Sequence, residues 1–142
     1  MVTLDGFADK KSTIFVDGAD LSADGKTLIC VPYCKNAYDV PDGVTHIGIG
    51  ERVFQCGYIN EDHPLLSVTI PESVTHIGKS AFECCLNLQR IIFKGRGLLE
   101  IGEKAFNVCD NIKEIHVPNG CKERYASIKA LTPFKNKIIE DK

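Results

Sequence analysis

The chain has 142 residues, of which 44% are hydrophobic and 25% charged, and its formal net charge is −2. These values are typical of one soluble globular domain with a substantial core. A slightly acidic chain is a poor candidate for binding nucleic acid, which usually requires a basic surface. No apolar stretch approaches 18 residues, so the sequence predicts no membrane-spanning helix.

Two features bear on the compartment. The first residues, MVTLDGFADKK, lack the charged-then-apolar order of a secretory signal peptide, which favours the cytoplasm or the loss of a leader or larger parent. The seven cysteines are an odd number and cannot all pair within one chain. We therefore expect most of them to be thiols.

Residues 1–34 contain the pattern of a β-hairpin. The stretch LSADGKTLI, residues 21–29, places apolar residues on both sides of Ala-Asp-Gly-Lys, which is a turn signal. We predict that this hairpin covers the first coil of the repeat structure that follows.

Residues 35–118 are repetitive. The phrase VTHIG occurs at residues 44–48 and again at 74–78, and a shift of 24 residues superposes IGKSAFECCLNLQRIIF on IGEKAFNVCDNIKEIHV. The unit reads L-x-x-I-x-I-P-x-x-V-x-x-I-G-x-x-A-F-x-x-C, in which L-x-x-I-x-I predicts a short strand. One copy cannot bury its apolar side, but stacked copies can. We therefore predict an α/β or mainly β solenoid of about four rungs.

Residues 119–142 predict a helical cap. We expect Asn119 to cap a helix that runs through Tyr125 and Ile128 and is broken by Pro133. Three apolar residues after the break are expected to fold back onto the last rung: Phe134, Ile138 and Ile139.

The stretch VTIPESVTHIGKSAFECCLNLQRI resembles the BspA-like leucine-rich repeats (type 5), whose unit carries I-P, I-G, A-F and C in this order. Residues 16–32 resemble the hairpin that often precedes such repeats, and VPNGCKERYASI resembles their closing segment. The resemblance covers roughly residues 14–140 and implies a right-handed solenoid, and we predict a single leucine-rich-repeat domain over residues 1–142. It also implies a surface or adhesion protein of a bacterium or protist, so cell-surface, secreted and cytoplasmic locations all stay open.

His46, His76 and Glu100 occupy one repeat position, and neighbouring rungs are about 5 Å apart. Imidazole and carboxylate groups can bind zinc. Because this position lies between two inward apolar residues, we expect an exposed ladder of side chains and no metal or cofactor.

The cysteines allow two interpretations. Cys56, Cys85 and Cys109 lie at or beside the last position of the unit, where we favour a column of buried thiols over disulfides between rungs. A cysteine-dependent enzyme is a distant alternative. Its candidate pair, His116 and Cys121, should lie apart, because His116 should be on the strands and Cys121 in the cap. The triplet at Gly78–Ser80 lacks the first glycine of a phosphate-binding loop. We therefore expect no enzyme.

The residues between the inward positions of the strands should point outward and form one face. We predict that this face makes the chain a monomeric protein-protein interaction or adhesion module. The alternative is a structural segment of a larger surface protein with no ligand of its own. The residues predicted to contact a protein partner are Leu66, Thr69, Gln89, Arg90, Ile92, Lys113, Glu114 and His116.

Overall fold

The computed structural model describes residues 13–16, 18–31, 36–48, 53, 65–96 and 100–141. Cys34, Cys56 and residues 57–64 lie outside these ranges. Within the described ranges the strands are β1 (Thr13–Val16), β2 (Ala19–Ser22), β3 (Thr27–Cys30), β4 (Ala37–Asp39), β5 (His46–Ile47), β6 (Ser67–Ile70), β7 (His76–Ile77), β8 (Arg90–Phe93), β9 (Glu100–Ile101), β10 (Glu114–Val117) and β11 (Ile138–Glu140). The helices are α1 (Lys122–Ala126) and the 3₁₀ helix η1 (Lys129–Lys137).

Five strands form a parallel sheet in the order β4-β6-β8-β10-β11. Val68, Ile91, Ile115 and Ile138 lie side by side in its register and are buried. Their neighbours along each strand are half-buried or exposed. Because successive side chains of a strand point to opposite faces, the L-x-x-I-x-I pattern produces one buried and one outward face.

A second sheet follows the order β1-β2-β3-β5-β7-β9. The V-x-x-I-G part of each repeat forms its two-residue strands, and Ile47 and Ile77 lie in register and are buried. Strand β3 of the predicted hairpin pairs in parallel with β5, so the hairpin continues this sheet. Strand β1, which pairs antiparallel with β2, was not predicted from the sequence.

The A-F-x-x-C segments form turns on a third side of the stack. Ser80 and Cys84 have left-handed φ angles of 63° and 66°, and Lys104 and Val108 in the next copy have 61° and 59°. Bonds between consecutive turns run from N–H to carbonyl oxygen: Ser80 to Glu103 (3.2 Å), Phe82 to Ala105 (2.8 Å) and Cys84 to Asn107 (2.8 Å). The turns therefore stack with the same periodicity as the strands.

The core lies between the two sheets and the turns. Its largest fully buried side chains include Phe82, Phe93, Leu88 and Tyr125. Among the described residues, no charged or polar side chain is fully buried. Apolar burial is therefore the main stabilising contribution, as expected for stacked repeats.

The start of helix α1 differs from the prediction. Its N-cap is Cys121, which makes no side-chain capping bond, so the prediction that Asn119 caps the helix is wrong. Asn119 lies instead in a turn closed by a bond from Cys121 N–H to the Pro118 carbonyl (3.0 Å). The Lys122 N–H at the start of the helix is satisfied by the Glu140 carboxylate (2.9 Å).

The end of the helix also differs. Helix α1 ends at Ala126, before the predicted Ile128, and Pro133 lies inside η1 instead of breaking a helix. Proline is compatible with a 3₁₀ helix because its fixed φ near −65° falls in the 3₁₀ range and only one N–H is lost. As predicted, Phe134 packs against the core and Ile138 is buried against the last repeat, but Ile139 is 41% exposed.

Candidate functional site

The strand face is the outward side of the five-stranded sheet. Its side chains form two rows that run across the strands, because residues at the same register position of neighbouring strands lie side by side. The first row is Ala37, Ser67, Arg90 and Glu114, and the second is Asp39, Thr69, Ile92, His116 and Ile139.

Five of the predicted contact residues lie on this face: Thr69, Arg90, Ile92, Glu114 and His116. The other three, Leu66, Gln89 and Lys113, lie at or just before the first residues of β6, β8 and β10. They are aligned by backbone bonds from Gln89 N–H to the Leu66 carbonyl and from Lys113 N–H to the Gln89 carbonyl, both 2.8 Å. The structure thus brings all eight together along three adjacent strands.

Ile92 is less exposed than predicted. We expected an exposed side chain, but it is half-buried. It lies between Thr69 and His116 in the second row. Strands about 4.8 Å apart bring these neighbours close enough to cover part of an isoleucine on a middle strand.

Two residues of the face were missed. Ile139 extends the second row beside His116, and Asp141 follows β11 and contacts the same histidine. A signal was present, because Ile138 follows Ile115 by the same interval that separates Ile91 from Val68. This signal was obscured by Glu140, because Glu140 pairs with Val117 at a position where the repeat pattern has an apolar residue.

Four charged or titratable side chains form a connected network on the strand face. Arg90 Nε donates to Glu114 Oε1 at 3.0 Å, and the same oxygen lies 2.8 Å from His116 Nε2. His116 Nδ1 lies 2.8 Å from Asp141 Oδ1. The network therefore runs from Arg90 on β8 through Glu114 and His116 on β10 to Asp141, the residue after β11, and the histidine lies between the two carboxylates.

This network shifts two pKa values. Hydrogen bonds to the Asp141 and Glu114 carboxylates raise the pKa of His116 above its ordinary value. Hydrogen bonds from His116 and Arg90 lower the pKa of Glu114. Both shifts favour the charged forms, so the two groups act as an ion pair on a partly exposed surface.

The network limits the chemistry open to His116. Both ring nitrogens are hydrogen-bonded to carboxylates, so neither has a lone pair ready for a metal or for a cysteine proton. Cys121, the residue considered with His116 in the enzyme alternative, is fully buried at the start of α1. The arrangement orders a charged surface and offers no activated nucleophile.

The predicted histidine ladder is confirmed as a surface feature. The rings of His46 and His76 stack with centroids 4.5 Å apart, and His76 Nε2 lies 3.3 Å from a Glu100 carboxylate oxygen. The Glu100 side chain is 83% exposed. Across the part of the chain that the structure describes, no group of three or more metal-ligating side chains is assembled.

The cysteine column is buried. Cys85 and Cys109 both belong to the core, and the Cys109 thiol donates to the Phe82 carbonyl oxygen at 3.0 Å. A hydrogen bond from Cys85 lowers the pKa of Cys109. Cys84, Cys109 and Cys121 are thiols in the structure, as predicted.

The repeats identify the family. The pattern of a BspA type leucine rich repeat region matches residues 38–140 in six copies. The chain belongs to the BspA-type leucine-rich repeat family. Among curated proteins, none matches the chain.

Two solved leucine-rich repeat structures are similar. A leucine-rich repeat protein of Bacteroides capillosus ATCC 29799 is 27% identical, with a TM-score of 0.60 over 92% of this chain and 99% of its own. A leucine rich cell surface protein of Faecalibacterium prausnitzii A2-165 is 26% identical, with a TM-score of 0.55 over 74% of this chain. The matched part spans only 32% of that second protein.

Within the described residues, no helix has both the length and the apolar character needed to cross a bilayer.

Proposed function

We propose that this BspA-type repeat protein binds a protein partner through its strand face and acts as an interaction or adhesion module. The observation that carries the proposal is the network of Arg90, Glu114, His116 and Asp141 beside two apolar side chains, Ile92 and Ile139. Fixed charged groups next to accessible apolar groups form a surface suited to recognition.

The physical advantage of the network is preorganisation. An isolated exposed arginine would lose rotamer freedom on binding, whereas Arg90 is already held by Glu114 at 3.0 Å. Arginine is also enriched among the residues where interface energy concentrates. The network supplies charge in fixed positions, and Ile92 and Ile139 supply apolar area.

Size limits how the face can be used. Five strands about 4.8 Å apart make the strand face roughly 19 Å wide. A typical specific interface buries about 800 Å² of the surface of each partner. The two rows alone are small for this, so Leu66, Gln89 and Lys113 at the strand starts belong to the proposed interface. A monomer with one such face would bind weakly or use neighbouring surfaces.

The two ends of the stack are proposed to act as caps on a solenoid of about four rungs. Strand β3 covers β5 at one end. At the other end, Tyr125 of α1 packs on Phe93 with ring centroids 4.7 Å apart and donates a hydrogen bond to the Gly95 carbonyl (2.8 Å). Capping elements of this kind cover core that a terminal repeat would expose.

Capture experiments test the function. Immobilised wild-type protein is compared with a strand-face variant, Arg90→Glu with Ile92→Thr. Threonine is chosen at position 92 because Thr69 already occupies the neighbouring position of the second row. The matched control, Lys79→Glu with Leu86→Thr, changes an exposed lysine and a 43% exposed leucine on the turn side. We expect at least one protein captured by wild type and control to be lost from the strand-face variant.

A second function has a specific observation in its favour. The chain resembles 32% of a cell surface protein, which is consistent with a structural segment of a longer surface protein. The capture comparison separates the two functions. If all three immobilised proteins retain the same set of proteins, the strand face is structural and the proposed interaction function is wrong.

A further inference from the structure

The last turn of the stack differs from the preceding turn in how its backbone donors are used within the described residues. In the preceding copy, the N–H groups of Ser80, Phe82 and Cys84 each bond to a carbonyl of the next turn. The equivalent groups one repeat later belong to Lys104, Phe106 and Val108. Among the described residues, no acceptor pairs with these three N–H groups.

The three donors point to the same side because of the local conformation. Lys104 and Val108 have left-handed φ angles of 61° and 59°, two residues on either side of Phe106. Ser80 and Cys84 have the same left-handed conformation, and the N–H groups of Ser80, Phe82 and Cys84 all reach the next turn, so the matching N–H groups one repeat later face the end of the stack. Valine rarely adopts this conformation, and Val108 occupies the same slot as Cys84 in the preceding turn.

A groove of about 620 Å³ lies over these donors, between the last turn and η1. Its charged lining comprises Lys104, Lys129 and Lys137 against Glu103 and Asp110. Apolar lining is contributed by Val108, which is 41% exposed, and by the half-buried Phe134. We refer to this feature as the end groove.

The end groove also begins at a sheet edge. Strand β9 is the last strand of the six-stranded sheet, and Ile101 and Gly102 line the groove. Each earlier strand at this position is covered by the next repeat. An edge strand with free backbone groups can be extended by a strand from another protein.

We propose that the end groove binds an extended segment of a protein partner in which acidic and apolar side chains alternate, so that the segment adds to the stack as a further rung. Carbonyl groups on one edge of an extended segment recur every second residue, as do the donors of Lys104, Phe106 and Val108. Alternation places one set of side chains near the lysines and the other near Val108 and Phe134. This site is separate from the strand face, and neither proposal depends on the other.

The test uses synthetic peptides and the complete chain labelled with ¹⁵N. The probe is a short capped peptide in which aspartate and valine alternate. The comparison peptides replace aspartate by lysine, or consist of a single capped aspartate. Binding of the aspartate-valine peptide should shift the amide resonances of Lys104, Phe106 and Val108 and slow their hydrogen exchange. Those of Ser80, Phe82 and Cys84, which are already bonded, should change little.

Variants test the role of charge. Lys129→Glu with Lys137→Glu should weaken the peptide by at least about tenfold. Lys94→Glu, an exposed lysine outside the groove, should leave the affinity unchanged. The proposal is overturned by an absence of binding, by equal binding of the lysine-valine peptide, or by shifts confined to other amides. It is also overturned if the single capped aspartate binds as tightly as the peptide, because the groove would then recognise a charge and no extended segment.

Discussion

The rings of Phe82 and Phe106 stack with centroids 5.1 Å apart and an interplanar angle of 9°. They occupy the same position in consecutive repeats, and both are buried. Phe106 also meets Phe134 of η1 edge to face, with centroids 6.5 Å apart. One aromatic column therefore connects two repeats to the C-terminal segment.

Removal of either stacked ring should destabilise the fold strongly. Phe82→Ala and Phe106→Ala are each expected to lower the free energy of unfolding by about 3–5 kcal/mol, because they leave a cavity where the turns meet the core. Denaturant unfolding measures the effect. Leu86→Ala, at a 43% exposed position, serves as the control and should stay within about 0.5 kcal/mol. A phenylalanine variant as stable as wild type would mean that the repeat register is wrong.

Gly102 should tolerate substitution less well than Gly78. A Cβ atom at Gly102 would lie 2.6 Å from Lys79 N and 2.9 Å from its Cα, which are backbone atoms of the preceding repeat. At Gly78 the nearest atoms are 3.2 Å away. Gly102→Ala should therefore cost about 1–3 kcal/mol through displacement of the stack, and Gly78→Ala should cost less. Thermal unfolding of both variants measures the difference. A lower melting temperature for Gly78→Ala than for Gly102→Ala would contradict this prediction.

The sequence predicted the repeated part of the fold because a stack repeats its contacts. The shift of 24 residues places Phe82 over Phe106 and Ile77 over Ile101, and the structure pairs the same residues. The predictions of helix boundaries failed outside the repeat. Asn119 is a good helix cap by residue type, but Glu140, distant in sequence, satisfies the first helical N–H instead.

Only part of the composition of the strand face was predicted, because some of its contacts depend on residues that are distant in sequence. Alternation along β8 and β10 is local, so the outward positions of Arg90, Glu114 and His116 follow from the pattern. Asp141 was missed because it reaches His116 only after residues 129–137 have turned the chain back beside β10. The half-burial of Ile92 depends on neighbouring strands, which alternation along one strand does not describe.

The contribution of His116 to stability should decrease at alkaline pH. Its pKa is raised in the folded state, so its contacts stabilise fully below the unfolded value of about 6.5 and are lost as pH rises through the folded value. Glu114 has a lowered pKa, so its contribution is present above the unfolded value of about 4.3 and is lost as pH falls through its folded value. Both contributions are therefore complete between about pH 4.3 and 6.5.

Unfolding of wild type and His116→Gln at several pH values measures this. The stability difference between them should be largest near pH 6 and should decrease toward about pH 8.5. Asp141→Asn should weaken the dependence, and Asp110→Asn, at an exposed carboxylate of another repeat, should not. A stability difference that stays constant over this range would show that His116 has no charged contacts in solution.

The cysteines should differ in reactivity according to burial. Cys109 and Cys121 are 2% and 0% exposed, whereas Cys84 is half-buried on a turn. Alkylation followed by site-resolved mass spectrometry should modify Cys84 in the native protein and Cys109 and Cys121 only after unfolding. The lowered pKa of Cys109 does not change this order, because burial excludes the reagent. A mass that shows intrachain disulfides without reductant would contradict the thiol assignment and favour an oxidising compartment.

Binding through the strand face is tested most directly by mapping a captured partner on the chain by NMR. With the partner added to ¹⁵N-labelled protein, the perturbed amides should cluster in β6, β8, β10 and β11, around Thr69, Ile92, His116 and Ile139. Arg90→Glu with Ile92→Thr should weaken the complex at least tenfold, which corresponds to about 1.4 kcal/mol. Perturbations confined to the turns at residues 80–84 and 104–108, with unchanged affinity of this variant, would contradict binding through the strand face.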